Sequence, residues 1–501
     1  MPRRAAQGKQ KPASFRRSSP RLHPGLRSLA CASPIPRTDR IMTPWLPSAL
    51  AYVASWLDFQ RRLHDQPGVA IAVANGGEIA LEAAFGSADL VTGEALTPRH
   101  GFRIASHSKS FTGAGILRLV EDGRLRLDDR VGSLIDGLHP DIAAVTIRQV
   151  LSNSAGLTRD GPDNGQFFDR KPYCDRAELL DDLAEPPVFP ASQRFKYSNH
   201  GFGLLGLVIE SVTGLSYSEW ITDEVVAKVG LTETKADIEL WGHRPMAKGH
   251  SGTQPLGYRV VIPGDNPGRA MVSAAGFVAT AADVARYFAQ LSPQAETSIL
   301  TPLSRREMTR RLWPDDEASL GRHYGLGTIS GGEGAWRWFG HSGGFQGFIT
   351  RTCVFPAQDV TVSVLTNAID GLAHPWLDGV VHILKTFSER GAPPAGTEDW
   401  NRRGWCIWGA GDLVPVSDRV LIANPALFTP FLDAGEITLD APDHGRIIRA
   451  SGFNSPGEPA RLVRDETGAA QSVWLGGGRF VGEEDMKIEM LARYVEKANG
   501  G

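Results

Sequence analysis

The chain has 501 residues, of which 42% are hydrophobic and 22% are charged, a balance typical of a globular protein with room for a catalytic and an accessory domain. A formal net charge of -3 leaves no basic excess that would attract nucleic acid or an anionic membrane surface, so neither partner is expected. The four cysteines lie far apart, with no CxxC pair and no nearby histidine pair, so we expect no metal site, no redox motif and no cofactor.

The first 41 residues differ in composition from the rest of the chain. They contain many arginines and prolines and no acidic residue before Asp39, which predicts a disordered basic extension over residues 1–41. The segment lacks the apolar stretch of a secretory signal, and its prolines disfavour an amphipathic presequence, although its arginines keep a targeting segment open. We favour an upstream-extended reading frame that naturally starts at Met42. Because no apolar run approaches the roughly 20 residues of a membrane span, we expect a cytoplasmic protein.

The next part of the chain alternates between helical and extended patterns. Apolar residues recur at helical spacing over residues 48–63, and the segments 69–74 and 79–85 flank an Asn-Gly-Gly turn, which predicts a β-hairpin. Strands at both ends of this region enclose a helical middle, so we expect an α+β domain whose antiparallel sheet is closed by distant segments. Further helices are predicted from residue 106 to Gly123 and over 147–152, 177–184, 200–213 and 281–290, with strands over 347–355 and 360–366.

A change of pattern near residue 390 predicts a second domain. A helix over residues 375–387 is followed by a Gly- and Pro-rich segment, and beyond it short β-like runs alternate with Gly, Pro and Asp turns. The predicted domains are a catalytic domain over residues 42–390, a linker over 391–398 and a small β-rich accessory domain over 399–501.

Ser106 and Lys109 are three residues apart at the start of a predicted helix. Helical residues at this spacing share a face within one turn, roughly 5 Å of rise, so the lysine amine can reach the serine oxygen. A serine hydroxyl is a poor nucleophile until a base removes its proton, and lysine is that base only if burial or a second cation lowers its pKa. Alone, the pair also fits a serine N-cap with a solvated lysine, since S-x-x-K arises about once by chance in a chain of this length.

Tyr197 and Asn199 stand side by side in a second segment. The segment follows a turn and precedes a predicted helix, so a loop presents a phenol and an amide together. Taken alone, Tyr197 also fits a core or interface aromatic, and Asn199 also fits a turn residue.

A third segment contains His341, Ser342, Gly343 and Gly344 just before a predicted strand. Small residues there let backbone N–H groups approach a substrate carbonyl closely. With Gly340 the segment also satisfies G-x-S-x-G, the nucleophile elbow of α/β-hydrolases, which would make Ser342 the attacking group. That elbow needs a strand before it and a helix after it, whereas an extended segment is predicted next, so this alternative is disfavoured.

Together these motifs resemble those of the serine β-lactamase and penicillin-binding-protein superfamily, especially class C β-lactamases, family VIII carboxylesterases and D-alanyl-D-alanine carboxypeptidases. The resemblance extends from about Gly68 to Phe387 and implies a β-lactamase/transpeptidase-like fold, with an antiparallel sheet flanked by helices and an all-helical subdomain. Further stretches that support it lie at residues 102–106, 125–129, 146–157, 275–283 and 324–327.

The resemblance implies a two-step reaction through an acyl-enzyme, with no metal. It assigns Ser106 as the nucleophile, Lys109 as its activating partner and Tyr197 as the proton relay to the leaving group. It also implies that Asn199 orients the substrate and that the backbone N–H groups of Ser106 and Gly344 form the oxyanion hole. The substrate-binding and oxyanion residues are thus Asn199, His341, Ser342, Gly343 and Gly344.

One departure from the family pattern bears on the substrate. Many β-lactamases have Lys-Thr-Gly where this chain has His341-Ser342-Gly343, and a mostly neutral histidine attracts a substrate carboxylate less than lysine does. Arg337 either replaces that charge or faces solvent. We therefore expect a carboxylesterase acting on small acyl esters, with D-amino-acid peptidase, D,D-carboxypeptidase or weak β-lactamase activity as alternatives.

An alternative of another class is a catalytically silent binding or assembly protein. Such a protein would normally lack one catalytic side chain, and none is missing here, so the enzyme hypothesis is preferred. The expected partner is a small ester, amide or lactam substrate, and assembly into a homo-oligomer is left open.

Overall fold

A nine-stranded antiparallel sheet stands at the centre of the first domain in the computed structural model, which describes residues 43–319, 321–452 and 454–495. The basic extension predicted over residues 1–41 lies outside these residues. The strands before residue 390 are β1 (Gly68–Asn75), β2 (Glu78–Asp89), β3 (Glu94–Ala95), β4 (Phe102–Arg103), β5 (Thr234–Lys235), β6 (Gly249–His250), β7 (Val261–Ile262), β8 (Val278–Ala279), β9 (Trp313–Pro314), β10 (His323–Tyr324), β11 (Ile329–Gly331), β12 (Trp338–Phe345), β13 (Phe348–Phe355) and β14 (Val360–Thr366).

Strands from the two ends of the domain meet in the middle of this sheet. The order is β3-β2-β1-β14-β13-β12-β11-β10-β9, and β1 lies between β2 and β14. Val69 is paired with Phe85 on one side and with Thr366 on the other. The prediction that distant segments close the sheet is therefore confirmed. The remaining short strands form a small sheet of β4, β8 and β5 and a hairpin of β6 and β7.

Helices cover both faces of the sheet. The predicted helices are present with boundaries within a few residues. One face packs on the first and tenth helices through large apolar side chains such as Trp56 and Trp376, which are fully buried. The helices are α1 (Leu46–Leu63), α2 (Ser108–Glu121), α3 (Pro140–Ala143), α4 (Ile147–Leu151), α5 (Arg176–Leu183), α6 (Asn199–Thr213), α7 (Tyr217–Ile221), α8 (Ala281–Gln290), α9 (Pro302–Met308), α10 (Ala373–Arg390) and α11 (Glu483–Met490).

The predicted β-rich accessory domain is an eight-stranded closed barrel. Trp405 in its first strand is paired with Val481 in its last, which closes the cylinder. The exact boundaries of the domains and linker stay predictions, although α10 ends at Arg390. The barrel strands are β15 (Arg402–Cys406), β16 (Gly409–Val416), β17 (Arg419–Ala423), β18 (Gly435–Ala441), β19 (His444–Arg449), β20 (Pro459–Arg464), β21 (Ala470–Leu475) and β22 (Gly478–Val481).

Aromatic contacts join the barrel to α1. The sequence predicts that Trp405, Trp408 and Phe428 pack the accessory domain onto the catalytic domain. Phe428 stacks on His64 at 5.2 Å between ring centroids, and the Trp405 ring lies 5.8 Å from that of Phe59. For Trp408 the prediction is wrong, because its side chain stands at the turn after β15 and is 95% exposed. Among the described residues, no helix is long and apolar enough to cross a membrane.

Candidate active site

Ser106 lies in a tight turn that leads into α2. Residues Ala105–His107 form one turn of 3-10 helix, and the α-helix begins only at Ser108, two residues later than predicted. Ala105 has a φ of +49°, a left-handed conformation that costs a residue with a Cβ atom about 1 kcal/mol or more. The nucleophile candidate thus follows a strained residue that the surrounding structure must hold in place.

Lys109 is fully buried beneath Ser106, one helical turn further on. Its Nζ lies 3.2 Å from the Ser106 Oγ, as the three-residue spacing predicts. The same amine donates to the Asn199 Oδ1 at 2.6 Å and to the Ala274 carbonyl at 2.8 Å. These contacts orient the lysine toward the serine, and the explanation of a solvated first-turn lysine is wrong.

Burial controls the protonation of Lys109. It lowers the pKa of the amine well below its usual range, and the nearby cation Arg159 lowers it further. Asp160 acts in the opposite direction through its negative charge, but it contacts the Asn199 Nδ2 at 2.6 Å and not the amine itself. A neutral amine beside a hydroxyl can accept its proton, so the surroundings of Lys109 suit a general base.

Tyr197 contacts the same serine oxygen from the other side. Its Oη donates to the Ser106 Oγ at 2.8 Å, and the Lys109 Nζ lies 4.8 Å from the centre of its ring. Burial raises the pKa of the Tyr197 phenol above its usual range. The phenol therefore keeps its proton at neutral pH and stands ready to donate it.

The segment from His341 to Gly344 lies just before β13, as predicted, and is itself part of β12, which the sequence did not predict. The backbone of this strand packs directly against the turn that carries Ser106. A Cβ atom added at Gly343 would lie only 2.3 Å from the Ile104 carbonyl oxygen, whereas one at Gly344 would lie 3.7 Å from the Ile349 side chain. Glycine is thus required at residue 343 for close approach, and residue 344 has room.

These two glycines offer a matched pair of substitutions. Gly343→Ala is expected to push β12 away from the Ser106 turn, lowering kcat by roughly tenfold or more and the free energy of unfolding by about 1–3 kcal/mol. Gly344→Ala keeps the backbone N–H and meets only an ordinary contact, so it should retain most activity. Steady-state kinetics and denaturant unfolding of both variants test this, and equal losses in the two would contradict the packing argument.

His341 is a buried, neutral group. Its side chain contacts the Tyr324 hydroxyl at 3.1 Å, and burial lowers the pKa of the imidazole well below its usual range. A histidine in this state supplies hydrogen bonding but no positive charge. The expectation that this position attracts a carboxylate only weakly therefore agrees with its environment.

A cleft of about 500 Å³ opens beside Ser106. It is lined by Tyr197 and by the four residues from His341 to Gly344, so most of the predicted site residues border one cavity. A second lobe of about 410 Å³ continues past Ser342. Residues that the sequence did not single out also line the two lobes. They are Arg159, Phe195, Lys196, Asp315, Arg322, His323, Tyr324, Ile329, Trp338, Ile349, Arg351, Thr352, His374, Pro375 and Asp378.

The structure places neither Asn199, the predicted substrate contact, nor Arg337, one of two alternatives for the missing charge, in the cleft. Asn199 is buried at the start of α6, and its amide contacts Lys109 and Asp160, so it holds the lysine and does not line the cleft. Arg337 borders a separate surface depression with Arg310 and Arg311, and so cannot supply the missing charge in the cleft. The cations that do line it come from loops where no motif marks them.

The nucleophile-elbow alternative for Ser342 is contradicted by the backbone. Ser342 is paired with Arg351 in the middle of β12, and a turn leads from β12 into β13. A nucleophile elbow would need a sharp turn at the serine and a helix after it. Ser106 is consequently the serine that meets both candidate proton-transfer groups.

Comparison with known proteins agrees with this arrangement. The sequence profile of the family described as Beta-lactamase matches residues 58–373, which is more than half of the chain. The chain belongs to the beta-lactamase family. The match includes every site residue that the sequence predicts, and membership of this family agrees with the resemblance.

Individual curated relatives of this beta-lactamase family member match about a third of the chain. Penicillin-binding protein 4* of Bacillus subtilis (strain 168) is 32% identical over 179 residues, which are 34% of this chain and 38% of that protein. The chain thus covers little more than a third of the length of the curated relatives it matches.

Solved structures share the fold over a longer stretch. The octameric penicillin-binding protein homologue from Pyrococcus abyssi has a TM-score of 0.61 at 20% identity, over 86% of this chain and 99% of that one. The D-amino acid amidase from Ochrobactrum anthropi SV3, in complex with L-phenylalanine amide, has a TM-score of 0.59 at 22% identity, over 67% of this chain and 99% of that one. The predicted β-lactamase/transpeptidase-like fold is therefore confirmed.

Proposed function

We propose that this protein hydrolyses small carboxylic esters through an acyl-enzyme formed on Ser106. The observation that carries the proposal is that a neutral amine and a protonated phenol both contact the same serine oxygen. The Lys109 amine lies 3.2 Å from the Ser106 Oγ and the Tyr197 hydroxyl lies 2.8 Å from it. The lowered pKa of Lys109 leaves its amine neutral, so that it can accept a proton. The raised pKa of Tyr197 keeps its phenol protonated, so that it can donate one.

In the acylation step, the Ser106 Oγ bonds to the ester carbonyl carbon while its proton moves to Lys109. Tyr197 then gives its proton to the departing alkoxide oxygen and is reprotonated by Lys109, so no net charge accumulates at the site. Water next attacks the acyl-enzyme, passes a proton to the same pair, and the Ser106 oxygen leaves as a hydroxyl. Backbone N–H groups of Ser106 and Gly344 are assigned to the developing oxyanion.

Asn199 and Asp160 are assigned a positioning role. The amide of Asn199 stands between the Lys109 amine and the Asp160 carboxylate, with 2.6 Å on each side. This arrangement fixes the lysine without placing a carboxylate in contact with it, which would hold the amine in its charged form. His341, Ser342 and Gly343 then contact the substrate from β12.

The charges of the cleft favour a substrate with an anionic group. Lys196 and Arg159 flank Tyr197 at the cleft. Arg159 is bound to Asp160 at 3.2 Å, and Asp315 is bound to Arg322 at 2.9 Å. Asp378 in the second lobe is bound to Arg351, also at 2.9 Å. Among the described residues that line the two lobes, each arginine thus has a carboxylate partner, and the excess positive charge is that of Lys196.

Lys196→Gln tests this preference. The variant is expected to raise KM for an ester that carries a carboxylate by about fivefold, because it removes one partly exposed charge near the substrate. The KM for a neutral ester of the same length is expected to stay unchanged, which makes the neutral ester the control. Equal changes for both esters would show that Lys196 acts on the active site and not on the substrate charge.

D-amino-acid amides are the second candidate substrates. The fold shared with the D-amino acid amidase supports them. An amino amide, however, carries an ammonium group, which needs an unpaired carboxylate, and the described acidic side chains of the cleft are paired with arginines. This pairing places esters first.

A panel of three chromogenic substrates distinguishes the candidates. We expect turnover of p-nitrophenyl butyrate to exceed that of a D-alanyl p-nitroanilide and of nitrocefin, because an ester has the least demanding leaving group. Faster turnover of the anilide would make the protein a D-amino-acid peptidase or amidase, and faster turnover of nitrocefin would make it a β-lactamase. Light scattering would test assembly into a homo-oligomer, which the sequence leaves open.

A further inference from the structure

The accessory barrel is packed at one end and hollow at the other. At the packed end, the interior is filled by buried side chains that include Trp400, Leu413 and Ile437. The Trp400 indole donates to the Pro442 carbonyl at 2.8 Å, which fixes it across this end. A barrel of eight strands has room to be filled by side chains or to hold one small ligand, and side chains fill only part of the interior of this barrel.

The hollow end contains a cavity of about 510 Å³. Its wall consists largely of apolar side chains, including Ile422, Leu475 and Phe480. Glycines occupy wall positions where side chains would otherwise reduce the space. A Cβ atom added at Gly411 would meet only the Phe480 ring, at 3.5 Å, and one at Gly409 would meet nothing within 4 Å. The cavity is of the size typical of small-molecule sites, roughly 300–1,000 Å³.

Polar groups stand at the mouth of the cavity. Asn424, Asp433 and Asn454 border it, and Asp433 is the one charged side chain among the described residues of its lining. The apolar side chains of Trp408 and Leu432 also lie at the mouth and are 95% and 57% exposed. An apolar chamber with amides and a carboxylate at its entrance suits an amphiphile whose head group is neutral or cationic.

The mouth is held in shape by the catalytic domain. The loop between β17 and β18 borders the cavity and also contacts α1. The Gln60 side chain donates to the Pro425 carbonyl at 2.6 Å, and the Trp56 indole donates to the Leu427 carbonyl at 3.3 Å. A rim fixed in this way needs little ordering when a ligand binds, which favours affinity.

We propose that this barrel cavity is a second ligand site, which binds a small amphiphile with a hydrocarbon chain or ring system and a neutral or cationic head. None of its lining residues belongs to the catalytic cleft, so it is separate from the site of hydrolysis. The proposal concerns binding alone and does not depend on which bond the enzyme cleaves.

The test uses the full chain and the neutral fluorescent probe N-phenyl-1-naphthylamine. Wild type and Ser106→Ala are expected to bind the probe saturably and with equal Kd. Gly411→Leu places a side chain in the chamber and should raise the Kd by about tenfold or more. Thr438→Leu adds an apolar side chain on the neighbouring position to the buried Ile437, outside the chamber lining, and serves as the matched control.

Leu432→Lys is a second variant, and it should leave the free energy of unfolding nearly unchanged because this side chain at the mouth is largely exposed. A charge there should also weaken probe binding. The proposal is overturned if wild type shows no saturable binding, if Gly411→Leu and Leu432→Lys bind as tightly as Thr438→Leu, or if Ser106→Ala alone abolishes binding. The last result would place the probe in the catalytic cleft. Hydrolysis of p-nitrophenyl butyrate, measured in parallel, keeps the failure of this proposal distinct from failure of the proposed function.

Discussion

Replacing Ser106 by alanine is expected to lower kcat for p-nitrophenyl butyrate by at least about 10⁴-fold, because removal of the nucleophile leaves only binding and oxyanion stabilisation. The loss should appear in kcat with little change in the unfolding midpoint, since the side chain is only partly buried and removal of its hydroxyl leaves no large cavity. Initial rates and a denaturation curve of the same preparation provide both measurements.

Ser342→Ala is the matched control, because Ser342 lines the same cleft but contacts neither Lys109 nor Tyr197 in the described hydrogen bonds. We expect its kcat to fall by less than about tenfold. A fluorophosphonate probe should label wild type and Ser342→Ala but not Ser106→Ala. Labelling of Ser106→Ala would show that Ser106 is not the nucleophile. A wild type that is neither labelled nor active would support a catalytically silent binding protein.

Substitution of Lys109 by arginine is expected to lower kcat by about 10³-fold or more, as is substitution by methionine. Arginine keeps a positive charge and hydrogen-bond donors, but its guanidinium is always protonated and so cannot accept a proton at neutral pH. If Lys109 acts as a base, both variants must fail. Activity of Lys109→Arg near that of wild type would mean that the site needs a cation and not a base.

The pH dependence of the wild type gives an independent test of Lys109. Because the neutral amine is the active form, kcat/KM should decrease as the pH falls through the lysine pKa and should reach its full value above that pKa. Burial lowers that pKa well below the usual lysine range. We therefore expect full activity at neutral pH and a decrease in kcat/KM at acidic pH. A profile that rises only near pH 10, the range of an ordinary lysine, would contradict this protonation state.

The local part of the site could be predicted from the sequence. The approach of Lys109 to Ser106 follows from helical spacing alone, and the structure differs only in that the first turn is 3-10 helix. The contact of Tyr197 with Ser106 joins residues 91 positions apart, so no local pattern could give it. That contact could be anticipated only from the resemblance, which links the three motifs in order.

The electrostatic part of the site could not be predicted in the same way. Arg322 reaches the cleft from the loop between β9 and β10, and Lys196 reaches it from the loop before α6. Their positions depend on how loops fold against each other, for which hydrophobic periodicity carries no signal. The barrel shows the same limit, since short strands separated by turns predict a β-rich domain, whereas closure depends on the pairing of Trp405 with Val481.

The position of β1 in the centre of the sheet also has a consequence for biosynthesis. Val69 is synthesised roughly 300 residues before its partner Thr366. The nascent hairpin of β1 and β2 therefore leaves the ribosome with one edge unpaired. At a synthesis rate of about 5–20 residues per second, that edge stays open for ~15–60 s. During this interval the β1 strand, which is almost entirely apolar, presents an unpaired edge that can aggregate unless a chaperone covers it.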